Sequence, residues 1–123
     1  MLTTSEVRSK ALAAKKASRL VAVLTTSEKN GILHAMADAL EDKAADILRA
    51  NGVDLKNARK KCISGALLDR LTLNEKRIAD MAQGLREIAA LPDPVGETVQ
   101  RWWRPNGLEV GKVRVPLGVI GMI

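Results

Sequence analysis

The sequence contains no phenylalanine and no tyrosine, and its only aromatic residues are the adjacent Trp102 and Trp103. Ala, Leu, Ile and Val must therefore fill most of any core. Such small side chains suit close helix packing but bury less area each. The single cysteine, Cys62, excludes an internal disulfide and any multi-cysteine zinc site, and it fits a reducing compartment, the cytoplasm. With one histidine, His34, the usual zinc ligand sets cannot be assembled. No apolar run reaches the roughly 18 residues a membrane helix needs. What is present is globular in character: 46% hydrophobic and 28% charged residues over a chain of 123, enough to bury a core.

The formal net charge is +6, unevenly spread. Residues 1–61 hold 12 Lys/Arg against 7 Asp/Glu, a balance of +5, and residues 62–123 hold the remaining 8 against 7, a balance of +1. A basic helical half could meet nucleic acid or another polyanion. Because acids interleave with the bases at helical spacing, a solvated face is the better reading, with no nucleic-acid and no membrane partner.

Along the chain, Thr3 and Glu6 have capping-box spacing, so a helix should begin near Thr4, with Val7, Ala11, Ala14, Ala17 and Val21 on one stripe and an end near Leu24. The motif "TTSE" at Thr25–Glu28 restarts, with Ser27 as the expected N-cap. A second helix then carries Leu33, Met36, Leu40, Ala44 and Ile47 on one face. Asn51-Gly52 reads as a helix stop, followed by a shorter helix over Val53–Lys60. "SGALLDRL" gives one or two helical turns. "TLNE", Thr72 to Glu75, reads as a capping box opening a helix with Ile78, Met81, Leu85 and Ile88 inward, and Pro92 and Pro94 end it.

The period then changes. "TVQRWWRP" and "LEVGKVRV" flank Asn106-Gly107, the pair a type I′ hairpin turn prefers. Neither face of the second arm is cleanly apolar, which suits a ribbon touching other protein on both sides. After Pro116, "LGVIGMI" reads as a strand buried on both faces, as in a parallel sheet. Val115 to Ile123 carry no charge and no hydrogen-bonding side chain. Such a strand needs neighbours that the rest of the chain does not offer, so the sequence is expected to be a piece of something larger.

Constellations for chemistry are sparse. His34 lies one helical turn from Asp38 and reads as a surface or packing histidine. Cys62 follows Arg59, Lys60 and Lys61, which favour a thiolate, but no histidine is near it in sequence. "GVIG", Gly118 to Gly121, is not the GxGxxG of a dinucleotide turn, and no helix start follows it. "RWWR" pairs two cations with two indoles, yet in a strand Trp102 and Trp103 point to opposite faces and make no common stacking platform.

The stretch "RPNGLEVGKVRVPLGVIG", together with "SGALLDRLTLNEKRI", "LPDPVGETV" and "ANGVDLKNAR", resembles the gamma-glutamyl phosphate reductase family of the aldehyde dehydrogenase superfamily. The resemblance covers essentially the whole chain but only the first part of the family's protein. It implies an α/β fold of which this chain holds three parts. These are an N-terminal helical part of the cofactor domain (1–96), a β-hairpin of the oligomerisation arm (97–115) and the first strand of the Rossmann-like NADP-binding domain (116–123).

By the same resemblance the family reaction uses NADPH to reduce L-glutamyl 5-phosphate to L-glutamate 5-semialdehyde and phosphate, in proline biosynthesis. A cysteine thiolate displaces phosphate, and hydride reduces the resulting thioester. That cysteine lies far downstream, and Cys62 does not match it; Cys62-Ile63 stands where relatives commonly have Gly-Leu. No catalytic residue and no metal ligand carries over, and the 123 residues alone are expected to be inactive. Ile123 matches an apolar position near the cofactor and is the one expected cofactor contact. A homo-oligomer through the hairpin arm and contact with the glutamate 5-kinase of the same pathway are the implied protein partners. The alternatives are an NAD-dependent dehydrogenase of free aldehydes, a stand-alone basic helical module that binds nucleic acid or an acidic partner, and an oligomerising structural fragment.

Overall fold

The computed structural model describes residues 4–122. They form five helices, α1 (Thr4–Val21), α2 (Thr26–Asp42), α3 (Ala44–Lys60), α4 (Gly65–Leu71) and α5 (Glu75–Ala90), and then two strands, β1 (Thr98–Trp103) and β2 (Glu109–Val113). The chain divides into two compact units, residues 27–91 and residues 1–26 with 92–123.

The unit of residues 27–91 holds the buried core. Its buried apolar residues are Ala37, Ala58, Ile78, Ala82 and Ala89, so four of the five are alanine. That is the consequence of a sequence without Phe or Tyr: helices meet over methyl groups. On α5 the buried positions are Ile78, Ala82 and Ala89, with Leu85 half-buried between them, a single stripe at helical spacing. Met81 and Ile88, expected inward, are 43% and 55% exposed. The inward stripe is rotated toward the alanines, which permit the closer approach.

Where the sequence suggests a break at Asn51-Gly52, the structure has one continuous helix, α3. Asn51 is buried, and its amide is spent on another segment: Nδ2 donates to the Leu71 carbonyl at 2.8 Å, and Oδ1 accepts from the Leu73 amide at 2.9 Å. The break falls instead at Lys43, between α2 and α3. Even there the Lys43 amide donates to the Ala39 carbonyl at 3.2 Å, so helical bonding nearly runs through.

The true stop of α3 is a Schellman motif. The Cys62 amide donates to the Arg59 carbonyl at 3.0 Å and the Ile63 amide to the Ala58 carbonyl at 3.1 Å, with Cys62 at φ +59°. This is a left-handed position that glycine fills most easily, and a cysteine occupies it here.

At the start of α5 the cap is Asn74, whose Oδ1 accepts from the Arg77 amide at 2.8 Å. Thr72, expected as the cap, instead donates its hydroxyl to the Leu68 carbonyl at 2.8 Å and closes α4. Similarly, Ser27 lies inside α2, which begins at Thr26. Thr3, the other half of the first capping box, lies outside the described residues. Helix α1 begins at Thr4 as its sequence suggests and stops at Val21, three residues before Leu24.

In the other unit, the Thr26 hydroxyl donates to Asp93 Oδ2 at 3.0 Å, while Asp93 Oδ1 accepts from the Val95 amide at 3.0 Å. These bonds tie Thr26 to the turn that follows Pro92. No residue of α1 is buried, and its stripe residues Val7 and Val21 stand exposed.

Candidate functional site

The hairpin is the most distinctive surface. β1 and β2 pair antiparallel, with Gln100 opposite Lys112, Arg101 opposite Gly111, Trp102 opposite Val110 and Trp103 opposite Glu109; a bulge falls between Thr98 and Gln100. Pairing continues past the strands, where the Gly96 amide donates to the Arg114 carbonyl at 3.0 Å and the Arg114 amide to the Glu97 carbonyl at 2.9 Å. The Glu97–Arg114 ion pair at 2.9 Å holds that end, and Arg101–Glu109 at 3.4 Å lies along one face.

The turn is not the expected type I′. The Gly107 amide donates to the Arg104 carbonyl at 2.9 Å, and the Arg104 amide to the Leu108 carbonyl at 2.8 Å. Gly107 sits at φ +81°, and Asn106 is not in the left-handed region. This is a type I turn with Pro105 at its second position, closed by a left-handed glycine bulge. Proline's fixed φ suits that position, while Asn106 turns its side chain inward so that Oδ1 accepts from the Leu108 amide at 3.2 Å.

Trp102 and Trp103 point to opposite faces, as alternation demands. Trp103 is 70% exposed, and Trp102, beside Val110, is only 38% exposed. A shallow depression of about 230 Å³ lies over Gly111, edged by Thr98, Arg101, Glu109 and Val113. The ribbon thus presents different chemistry on its two sides.

Residues 116–122 follow without strand pairing, and Gly118 at φ +96° interrupts the extended backbone. The strand expected there is absent among the described residues, because a strand exists only against a neighbour. Leu117 and Met122 are 90% and 94% exposed. Ile123, the expected cofactor contact, lies outside the described residues. Gly118–Gly121 are followed by no helix, among the described residues, whose N-terminus could hold a phosphate.

The remaining candidates are not brought together. His34 is exposed on α2 and Cys62 is exposed after α3. Among the described residues no cluster of His, Cys, Asp and Glu could hold a metal ion, and no helix is long and apolar enough to cross a membrane.

Sequence reasoning missed two polar clusters in the unit of residues 27–91. Arg86 on α5 reaches Asp38 at 2.8 Å and Glu41 at 2.7 Å on α2. The hydrogen bond from Arg86 holds the Glu41 carboxyl below its ordinary range, and the two carboxylates raise the Arg86 guanidinium. Arg77 grips Asp69 through both carboxylate oxygens at 3.0 Å and the Thr72 carbonyl at 2.6 Å. With Asn51, it fixes the loop between α4 and α5. The partners lie too far apart in sequence, or on separate helices, for spacing rules to pair them.

No family model matches the chain. The solved structures are decisive on fold. The gamma-glutamyl phosphate reductase of Thermotoga maritima superposes with a TM-score of 0.82 over 90% of this chain at 38% identity, covering 27% of that protein. The gamma-glutamyl phosphate reductase of Saccharomyces cerevisiae does so with a TM-score of 0.78 over 94% at 30% identity, covering 29%. The helices and hairpin therefore make up the N-terminal part of an aldehyde-dehydrogenase-like α/β fold. In sequence the chain is 60% identical over 118 residues to the gamma-glutamyl phosphate reductase of Moorella thermoacetica and 55% identical over 117 residues to that of Thermodesulfovibrio yellowstonii. The chain is homologous to the gamma-glutamyl phosphate reductases and resembles their N-terminal portion. It spans 28% of the length of these two relatives.

Proposed function

We propose that this chain is the N-terminal segment of a cytoplasmic, NADPH-dependent reductase that converts L-glutamyl 5-phosphate to L-glutamate 5-semialdehyde and phosphate in proline biosynthesis. The observation that carries the reading is identity of 60% over 96% of the chain to a protein of that name. The contribution of this stretch is structural: helices that buttress a cofactor domain (1–96), a hairpin arm for association of subunits (97–115) and an apolar segment leading into the cofactor sheet (116–123).

Glutamyl phosphate and NADPH would be held by residues that follow, with Ile123 at the edge of the cofactor. A nicotinamide, when bound, would supply the hydride for the reduction. These residues position the domain that binds it. The exposed faces of the hairpin support the homo-oligomer, and the kinase that makes the labile acyl phosphate is the natural second partner.

Expressing the whole reading frame that contains this chain in a proline auxotroph lacking this reductase tests the proposal. Growth without proline is expected. Persistent auxotrophy with the protein present and soluble would overturn the assignment.

A further inference from the structure

The pair Asn-Gly occurs three times in the chain, at Asn30-Gly31, Asn51-Gly52 and Asn106-Gly107. Asparagine is among the thermolabile residues, and a following glycine puts no Cβ in the way of its own nitrogen. The fold treats the three pairs differently. Asn30 and Gly31 lie inside α2, and Asn51 and Gly52 inside α3, where helical hydrogen bonds hold the backbone amides. Both ends of the Asn51 side chain are also engaged by the loop before α5. Asn106 and Gly107 lie instead in the hairpin turn. There the Asn106 side chain makes an Asx turn, with Oδ1 accepting from the Leu108 amide at 3.2 Å, which folds its amide carbon toward the Gly107 nitrogen. The Leu108 N–H thus already points at the oxygen on which negative charge develops when that carbon is attacked. Nδ2, the nitrogen that must leave, has no hydrogen-bond partner among the described residues. The Gly107 nitrogen itself is engaged only through the turn bond to the Arg104 carbonyl at 2.9 Å.

We infer that Asn106 is a site of spontaneous deamidation, which converts the hairpin turn to an isoaspartyl linkage, and that the helices spare Asn30 and Asn51. The Gly107 nitrogen gives its proton to water and bonds to Cγ of Asn106. The Cγ–Nδ2 bond breaks, Nδ2 takes up a proton, and ammonia leaves. The product is a cyclic imide across Asn106 and Gly107, which water then opens. Addition at Cγ leaves aspartate at this position. Addition at the backbone carbonyl leaves isoaspartate, whose main chain runs through the former side chain. Nothing is oxidised or reduced, and water is the only co-reactant. Attack requires one turn bond to open, which costs far less at a hairpin tip than unwinding α2 or α3. The ranking turns on backbone conformation and on hydrogen bonds within the turn, because the reacting atoms belong to adjacent residues. Either product adds a negative charge to the turn. Isoaspartate also lengthens it by one backbone atom, so the bond from the Gly107 amide to the Arg104 carbonyl cannot keep its present geometry.

The test uses the product of the whole reading frame, aged in neutral buffer and, in parallel, in guanidinium chloride. Peptide mass spectrometry follows the amide-to-acid mass gain at each of the three pairs, and an isoaspartyl methyltransferase with a labelled methyl donor counts isoaspartate. In the native protein the Asn106 peptide should convert at least about tenfold faster than the peptides of Asn30 and Asn51. In denaturant, where only the shared dipeptide remains, the three rates should fall within about threefold of one another. Asn106→Gln, whose longer side chain closes the ring far less readily, should remove most of the native isoaspartate signal. A native advantage below that tenfold margin overturns the inference, as does a methylation signal that survives Asn106→Gln undiminished. The same advantage persisting in denaturant would place the cause in the local sequence and overturn the assignment to the fold.

Discussion

The side chain of Asn51, in the middle of α3, accepts a hydrogen bond from the Leu73 amide at 2.9 Å. Through its other end it donates to the Leu71 carbonyl, so one buried amide satisfies both polar groups of a loop that would otherwise be left unpaired near the core. Asn51→Ala removes both bonds at once and should cost about 2 kcal/mol, since two part-buried backbone groups lose their partners. Urea unfolding of the whole chain, with a lowered midpoint and an unchanged slope, is the expected signature. A midpoint equal to the parent's would show that the loop is held without Asn51.

This residue also marks the limit of what the sequence discloses. Asn-Gly is a punctuation signal in isolation, and α3 runs through it because the amide has a tertiary partner twenty residues on. The helix starts at Thr4 and near Thr26, the stop before Pro92 and the hairpin itself are legible, since caps, prolines and alternation are local. Misread were features decided by neighbours. The α5 stripe turns toward alanines, Pro105 changes the turn type, and residues 117–122 lack the partner that makes a strand. The Arg86 and Arg77 clusters join separate segments and left no pattern to read.

Cys62 stands at the left-handed position of the Schellman motif that ends α3. Cys62→Gly should raise stability by about 1 kcal/mol, because glycine meets no steric penalty there. Cys62→Val should lower it by a similar or larger amount. Thermal melts of the three proteins order them Gly, Cys, Val; any other order contradicts the backbone account.

Arg86 and Glu41 make the chain's stability depend on pH in one direction. Bonding to Arg86 lowers the Glu41 pKa in the folded protein below its ordinary value of 4.5. The contribution is therefore present above that ordinary value and lost as pH falls through the lowered one. The stability difference between the parent and Glu41→Gln should be largest near neutrality and shrink below about pH 4. A difference that stays constant down to about pH 2 would mean that Glu41 acts by packing rather than by charge.

Gly107, at φ +81°, closes the hairpin turn. Gly107→Ala should cost about 1 kcal/mol locally by forcing a Cβ into the left-handed region. Amide hydrogen exchange at Arg104 and Gly107, whose amides make the turn bonds, should quicken in the variant while exchange in α5 stays unchanged. Equal quickening in α5 would show that the hairpin and the helices unfold as one.

Leu117, Ile120 and Met122 form an uncharged apolar stretch open to solvent, the kind of segment that associates when left uncovered. In the 123-residue chain the double change Val119→Lys and Ile120→Lys should raise the concentration at which light scattering appears. Unchanged solubility would mean that the segment is already buried against something.

The measurement that bears most directly on the central reading uses the purified product of the whole reading frame, run in reverse with L-glutamate 5-semialdehyde, NADP+ and inorganic phosphate. A reductase of acyl phosphates needs phosphate to release its thioester, so absorbance of the reduced cofactor should grow only when phosphate is present. Turnover that proceeds equally without phosphate would identify instead a dehydrogenase of free aldehydes, in which water rather than phosphate releases the acyl group, and no turnover under either condition would contradict the account outright.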